Sequence, residues 1–305
     1  MVDLSIIIVN WNTRDFLAQC LDSIYQSKNE AVIELIVVDN ASSDGSPDLV
    51  HERFPQVRLI QNQTNVGFAR ANNQGILQSL GRYILLLNSD TLVRPGALQC
   101  LLEFMDNNYE AGAASARLLN ADGSLQYSCS PAPTLTSEFL RMFHLPGIRP
   151  DGYYSMDEWN LYQPRSVDIL LGACMLIRRE ALDQVGLLDE QYFMYSEEVD
   201  LCSRLQSAGW KLYWIPTAEV VHFGGQSTRQ VSADMFMRLY ESKVRYIRKN
   251  YGRIHALAYK LLLMISSLVR IMLVPFVWLE DSQHRRTHLD KAMNYQRLLM
   301  KLPYL

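Results

Sequence analysis

The sequence predicts an α/β fold on a mostly parallel central sheet, followed by a basic, helical C-terminal region. Short β-branched apolar runs alternate with helical stretches over roughly the first 90 residues, the pattern of strands buried on both faces. The links between them are short, which implies parallel strands with right-handed crossovers. Beyond about Asp234 the pattern changes to helix, with basic residues in excess.

Ser5–Val9 reads as the first strand, and Thr13 is placed to cap a helix running to about Ser27. Leu35–Val38 and Val57–Ile60 are the second and third strands. Gly67 opens an Ala- and Asn-rich helix to about Leu80, and Tyr83–Leu87 is the fourth strand. Pro95 falls near the first turn of the next helix, where its missing N–H costs nothing. Within Ala113–Gln126, the run Asn120-Ala121-Asp122-Gly123 is a hairpin turn signal. Residues 129–167, with five prolines, are expected to form a long, partly mobile loop. Ile169–Ile177 reads as a strand, followed by a helix from Arg179 that stops at Gly186. A further helix over Glu197–Ala208 precedes two closing strands, Lys211–Ile215 and Glu219–His222. A core strand at residues 4–9 leaves no room for a leader peptide ahead of the fold.

With 49% hydrophobic and 20% charged residues, the chain has material for a core and is not a disordered segment. Cys20, Cys100, Cys129, Cys174 and Cys202 form an odd set with no C-x-x-C pair, which fits reduced thiols in the cytoplasm rather than a disulfide framework or structural zinc. From Lys243 onward twelve basic residues stand against three acidic ones, although the whole chain carries −3. The preceding part is therefore acidic, which argues against nucleic acid as a partner.

In the tail, Leu261–Val269 and Ile271–Leu279 are apolar runs split by Arg270 and containing Pro275. A span wants ~20 apolar residues, and a central Arg costs ~2.5–3.5 kcal/mol on insertion scales. Lys260, Ser267 and Arg270 fall on one side of a helix, leaving a broad apolar face. An amphipathic helix lying on an anionic membrane, assisted by the basic cluster Lys243–Arg253, accounts for this pattern. The alternatives are a helix packed on the preceding domain or a second subunit, and a true span.

Ligands of an open parallel sheet bind beyond the carboxyl ends of its strands. Those ends carry Asn10 and Asn12, Asp39 and Asn40, Asn62 and Asn65, then Asn88 and Asp90. Such amides and acids suit the hydroxyls of a sugar or ribose, which both donate and accept. No G-x-G-x-x-G follows the first strand and no G-x-x-x-x-G-K-[ST] occurs, which disfavours dinucleotide and P-loop enzymes. Asp90 is either a hard-cation ligand or a helix cap. His222, ahead of Gly224-Gly225, is either a second metal ligand or an ordinary half-buried histidine. Glu197, Glu198 and Asp200 crowd a helix start, where the macrodipole favours negative charge. Aromatic neighbours could instead raise one of these carboxyls and make it a base.

Seven segments, in order, resemble those of inverting nucleotide-sugar glycosyltransferases of family two, in particular the bacterial rhamnosyltransferase-like branch. They are Ser5–Thr13, Val37–Ser46, Asn65–Gly75, Leu85–Asp90, Gly172–Leu182, Val185–Arg204 and Val220–Ser227. The resemblance implies a GT-A fold over residues 1–232, with a nucleotide-binding half (1–92) and an acceptor or catalytic half (93–232). Residues 233–305 lie outside it.

By that resemblance Asp39 takes the base or ribose, with Asn10, Asn12 and Arg70 nearby, and Asn65, Gly67, Asn72, Asn73 and Gly172 line the donor. Asn88-Ser89-Asp90 stands where the family has D-x-D, so the first carboxylate is absent. Asp90 and His222 are then the ligands of a divalent metal, Mn²⁺ or Mg²⁺. Glu198 is the general base, supported by Glu197 and Asp200.

The function this implies is transfer of rhamnose or another hexose from a dTDP- or UDP-sugar to a surface-polysaccharide or polyprenyl-diphosphate-linked acceptor. The setting is the inner face of the plasma membrane, with the protein peripherally bound. Two alternatives remain on the sequence: a sugar nucleotidyltransferase, which should carry a Gly-rich basic triphosphate loop, and a sugar-nucleotide-binding scaffold, which would show no turnover.

Overall fold

The computed structural model describes residues 2–27, 30–143, 145, 152–274 and 282–305, with only the backbone of 282–288. It divides into two compact units, Met1–Ala132 with Tyr153–Gln230, and Pro133–Gly152 with Val231–Leu305.

In the first unit, β1 (Leu4–Asn10), α1 (Arg14–Gln26), β2 (Ile33–Asp39), α2 (Ser46–Arg53), β3 (Arg58–Gln61), α3 (Phe68–Leu77) and β4 (Tyr83–Asn88) follow one another. The strands lie in the order β3-β2-β1-β4, all parallel. Alternation between two covered faces explains why Ile6, Ile7 and Ile8 of β1 are all apolar. Ile6 and Ile8 pack with Leu17 and Leu21 of α1, whereas Ile7 joins Ala69, Ala71 and Ile76 of α3 on the other face. Burying each such isoleucine stabilises the fold by ~1.5–3 kcal/mol. Gly75 lets α3 lie close to the sheet, because a Cβ there would meet Ile7 at 2.5 Å.

The chain continues through β5 (Thr91–Val93), α4 (Ala97–Asn107), β6 (Ala111–Leu119) and β7 (Cys129–Ser130), passes α5 (Leu135–Met142) of the second unit, and returns in β8 (Arg165–Val167) and β9 (Ile169–Leu170). Then come β10 (Cys174–Arg178), α6 (Arg179–Val185), α7 (Glu197–Ser207) and β11 (Lys211–His222). β10 lies antiparallel between β4 and β6, and β11 runs parallel to β6 and antiparallel to β5. The expected strand Ile169–Ile177 is in fact two. β9 pairs with β7 in a separate small sheet, and the break falls around Gly172. The two expected closing strands are one, with a register shift between Ile215 and Glu219. Helix α4 starts after Pro95 and Gly96, so the proline lies just outside it. The described cysteines are all free. Burial pushes Cys20, Cys129, Cys174 and Cys202 up to about 12, so these thiols are packing groups.

The second unit corrects the reading of 129–167 as a loop and of its place in the first domain. Residues 133–152 group with the C-terminal helices. Within them α5 is capped by Thr134, whose Oγ1 accepts the Ser137 N–H while Ser137 Oγ accepts the Thr134 N–H. Its Glu138 explains the grouping. Lys243 Nζ of α8 (Ser232–Tyr251) lies 3.0 and 3.1 Å from the two carboxylate oxygens, and Tyr259 of α9 (Arg253–Met272) donates its hydroxyl at 2.9 Å. Arg141 completes the cluster at 2.5 Å. Burial alone would raise this carboxyl, but Lys243 and Arg141 hold it down to about 2.

Helix α9 does not use its polar residues as a solvated face. Ser267 is fully buried, and Arg270 donates to the carbonyls of Ser266 and Met142 and stacks on Tyr295 of α10 (Ser282–Lys301). The side left exposed is apolar, with Ile254, Leu257, Leu261, Met264, Ile265, Leu268 and Met272. Among the described residues α9 is the one helix long and apolar enough to cross a membrane. Pro275, with the rest of the run to Leu279, lies outside the described residues, as do Pro146 and Pro150.

Candidate active site

The carboxyl ends of β1 and β2 form the first part of the site. Asn10, fully buried, donates from Nδ2 to Asp39 Oδ1 at 2.9 Å and to Ser42 Oγ at 3.1 Å. Asp39 Oδ2 accepts the Ser42 N–H at 2.8 Å. Asn12, in the left-handed region at φ 51, accepts the Ser43 N–H at 2.8 Å. These residues shape the loop after β2, so Asn10 and Asn12 act on Asp39 and its loop. Thr13 does not cap α1 with its side chain. It donates to Asn10 Oδ1 at 2.7 Å and meets Ser89 Oγ at 2.8 Å, tying this corner to the end of β4.

Around α3, Asn65 Oδ1 accepts the Gly67 N–H at 3.0 Å. Asn72 donates to the Phe68 carbonyl at 3.0 Å, within its own helix. Asn73 is buried and pins the chain at Leu188, donating to its carbonyl at 2.8 Å and accepting its N–H at 3.1 Å. Arg70 stands exposed, 3.8 Å from Glu190. Gly67 is irreplaceable on two counts. Its φ of 90 and ψ of 168 suit glycine alone, and a Cβ there would lie 2.5 Å from the Phe193 carbonyl oxygen.

The end of β4 meets the end of β11. Asp90 Oδ1 lies 3.3 Å from His222 Nε2, and Asn88 Nδ2 is also 3.3 Å from that nitrogen. The Gln226 N–H donates to Asp90 Oδ2 at 3.3 Å. Burial works to raise the Asp90 carboxyl, but His222 and the Gln226 N–H outweigh it and hold it below the ordinary value of 3.8. On its far side His222 Nδ1 is 2.7 Å from Gln126 Oε1. Among the described residues no three His, Cys, Asp or Glu side chains converge as a metal cluster. One carboxylate oxygen and one imidazole nitrogen facing each other nonetheless fit a divalent cation that takes its remaining ligands from phosphate.

The third part is the start of α7. Tyr195 and Ser196 precede it with φ of 68 and 65, two consecutive left-handed residues that cost about 1–3 kcal/mol each. Such strain persists where surrounding structure holds it, here the Phe68 N–H that donates to the Phe193 carbonyl at 2.7 Å. The turn delivers Glu197 and Glu198 into a shielded place where Oε2 of each has no hydrogen-bond partner. Burial raises both carboxyls above 4.5, Glu197 further because the Glu198 charge adds to it. Gly172 faces Glu198, since a Cβ there would lie 3.6 Å from the Glu198 Cβ. Asp200 points elsewhere. It accepts from Arg204 Nε at 2.8 Å, and Arg204 in turn holds the carbonyls of Val185, Gly186 and Leu187.

Ser42, Gln126 and Gln226 contribute to the site without a role having been read for them in the sequence. Gln126 had a usable signal, since it follows the Asn120–Gly123 turn that returns the chain beside β6.

The fold is shared with known proteins. The crystal structure of GalNAc-T7 with UDP, GalNAc and Mn²⁺ superposes with a TM-score of 0.59 at 15% identity, covering 83% of this chain and 50% of that one. The mannosyltransferase PcManGT from Pyrobaculum calidifontis in complex with GDP-Man and Mn²⁺ gives 0.58 at 17% identity, covering 99% and 84%. The fold is thus that of the GT-A glycosyltransferases, and the chain is a glycosyltransferase. Residues 5–186 match the family model for Glycosyl transferase family 2, and the chain belongs to that family. The N-acetylglucosaminyl-diphospho-decaprenol L-rhamnosyltransferase of Mycobacterium tuberculosis (strain ATCC 25618 / H37Rv) is 32% identical over 239 residues, 74% of this chain and 77% of the relative. Rhamnosyltransferase WbbL of Escherichia coli (strain K12) is 26% identical over 252 residues, 80% and 92% respectively.

Proposed function

We propose that this family 2 enzyme transfers rhamnose or a related hexose, with inversion, from a dTDP- or UDP-linked donor to a polyprenyl-diphosphate-linked glycan. The observation that carries the proposal is a division of labour within one unit. Asp39 and its loop, with Asp90 and His222, face a nucleoside diphosphate, while Glu198 presents a shielded carboxylate oxygen with nothing bound to it. The names of the two rhamnosyltransferase relatives support the sugar and the lipid-linked acceptor.

In the reaction Glu198 Oε2 takes the proton of the acceptor hydroxyl. The freed oxygen bonds to the anomeric carbon as that carbon's bond to the diphosphate oxygen breaks on the opposite face, which inverts the centre. A positioned base contributes ~10²–10⁴-fold. Asp90 and His222 would hold a divalent cation, Mn²⁺ or Mg²⁺, which when bound supplies charge stabilisation to the departing diphosphate. Asp39, steadied by Asn10 and Ser42, recognises the ribose or base. Gly172 leaves room beside Glu198 for the acceptor. Glu197 shares the shielded turn with Glu198, and Asp200 keeps α7 in place through Arg204.

The apolar stripe of the second unit supports a cytoplasmic membrane surface as the setting of this chemistry. Its α9 packs its serines and arginine inward and leaves an apolar stripe outward, the reverse of a solvated helix. A helix with one side packed and the other apolar lies in the interface rather than spanning it. Donor, cation and membrane are tested together by a transfer assay. Full-length protein is mixed with vesicles carrying a polyprenyl-diphosphate-linked acceptor and offered labelled dTDP-rhamnose or UDP-hexose, with and without Mn²⁺. Cation-dependent label in the lipid fraction, with protein sedimenting on the vesicles, is the expected result. No transfer from any donor removes the functional reading, and protein left in the supernatant removes the membrane role of α9.

A further inference from the structure

We infer that Gln126 is a positioning residue that holds a proton on His222 Nδ1, so that Nε2, the nitrogen facing Asp90, is the one left to bind a cation. The inference rests on the proposed role of Asp90 and His222 toward the diphosphate and its cation, and it assigns a part to a residue outside that pair.

The hydrogen-bond network leaves one solution. Asn120 Nδ2 lies 3.4 Å from the Leu125 carbonyl, which can only accept, so Asn120 Oδ1 is the acceptor on the other side. Gln126 Nε2 donates to that Oδ1 at 2.9 Å and to the His222 backbone carbonyl at 3.0 Å, which consumes both amide protons. Its Oε1 is therefore the atom 2.7 Å from His222 Nδ1, and a carbonyl oxygen can only accept. Nδ1 must carry a proton whatever the ring's charge. When the ring is neutral, as a cation's ligand must be, its lone pair is on Nε2, 3.3 Å from Asp90 Oδ1 and 3.3 Å from Asn88 Nδ2; a second proton on Nε2 instead makes it the donor that holds the Asp90 carboxyl down. A free imidazole prefers the opposite tautomer, with its proton on Nε2, which would turn a hydrogen toward Asp90 and close the position to a cation. Gln126 reverses that preference. It is itself anchored at both ends, by the Asn120 turn and by the backbone of the histidine it orients, as outer-shell partners of a metal-binding histidine commonly are.

The test reads the tautomer directly. Full-length protein labelled with ¹⁵N-histidine is studied by long-range ¹H–¹⁵N correlation in the presence of Mg²⁺ and UDP, where a histidine that ligates the cation must be neutral. His222 is assigned by its loss in His222→Gln. The parent should show His222 protonated on Nδ1. Gln126→Leu, similar in volume but unable to accept, should move the proton to Nε2 and weaken Mn²⁺ binding in the presence of UDP by ~10–100-fold. Gln126→Glu, which keeps an acceptor for Nδ1, should retain the parent tautomer, an outcome that a merely space-filling role would not produce. A parent His222 protonated on Nε2, or a tautomer unmoved in Gln126→Leu, overturns the inference. Asp90→Asn tests the underlying site separately. If it binds Mn²⁺ and UDP as tightly as the parent, the site reading fails whatever the tautomer.

Discussion

Two buried glutamate sites, one in each unit, have opposite surroundings. Glu138 in the helical unit meets Arg141, Lys243 and Tyr259, and is held down to about 2. Glu197 and Glu198 at the head of α7 each keep an oxygen without a partner and are raised above 4.5. A carboxylate that is fully paired has nothing left to offer a substrate, and its role is to hold helices together. A carboxylate delivered into a shielded place by a strained turn, and then left unpaired, is a group awaiting a proton.

That contrast is broken most directly by removing the unpaired group. Glu198→Gln should lower turnover by at least ~100-fold while UDP or dTDP binding, measured by calorimetry, stays near that of the parent. Near-normal turnover would take Glu198 out of the base role. Glu138→Ala should act on stability instead, at about 3–5 kcal/mol, because it leaves Lys243 buried and unpaired. Denaturant unfolding of the helical unit reads this loss.

The two sites should also answer pH with opposite signs. The Glu138 contribution is complete above the ordinary value of 4.5 and is lost as pH falls through about 2. Glu197 is the reverse. Its raised carboxyl costs stability when ionised, so the fold loses stability as pH rises from 4.5 through the raised value, and Glu197→Gln should flatten that part of a melting-temperature profile. The smallest effect compares two glycines. Gly67→Ala meets the Phe193 carbonyl and should cost about 3 kcal/mol, the top of the range for such backbone strain. Gly96→Ala, at φ +81 with nothing within 4 Å of its Cβ, should cost about 1 kcal/mol. Equal losses would mean that strain alone, and not the contact with the α7 turn, makes Gly67 necessary.

The parallel half of the sheet was legible in the sequence because its strands are buried on both faces, and continuous runs such as Ser5–Val9 have no other comfortable home. The short strand β5 was not, since three residues carry no period. Helix α5 was hidden by flanking prolines, although Thr134 and Ser137 stand at capping spacing. The polar residues at the strand ends were legible from their positions, but their partners were not. Asn73 and Asn10 look alike in sequence, yet one pins a loop at Leu188 and the other orients Asp39. Side-chain direction depends on neighbours brought from far along the chain, and a single sequence does not show them. The α9 face was read as a polar side and an apolar side; which of the two is packed is a property of the helices beside it.

The pairing of β5 with β11 has a consequence for the order of events in the life of the chain. Asn88 and His222 are separated by 134 positions, and the Phe223 N–H donates to the Asp90 carbonyl at 3.0 Å, clamping the two ends together. The loops after β1 and β2 are synthesised early, within the first quarter of the chain. The Asp90–His222 pair is completed only when the last strand is present, a contact of high sequence separation. A chain ending before β11 would therefore lack His222 and the strand that clamps it to Asp90, whatever its first four strands had formed.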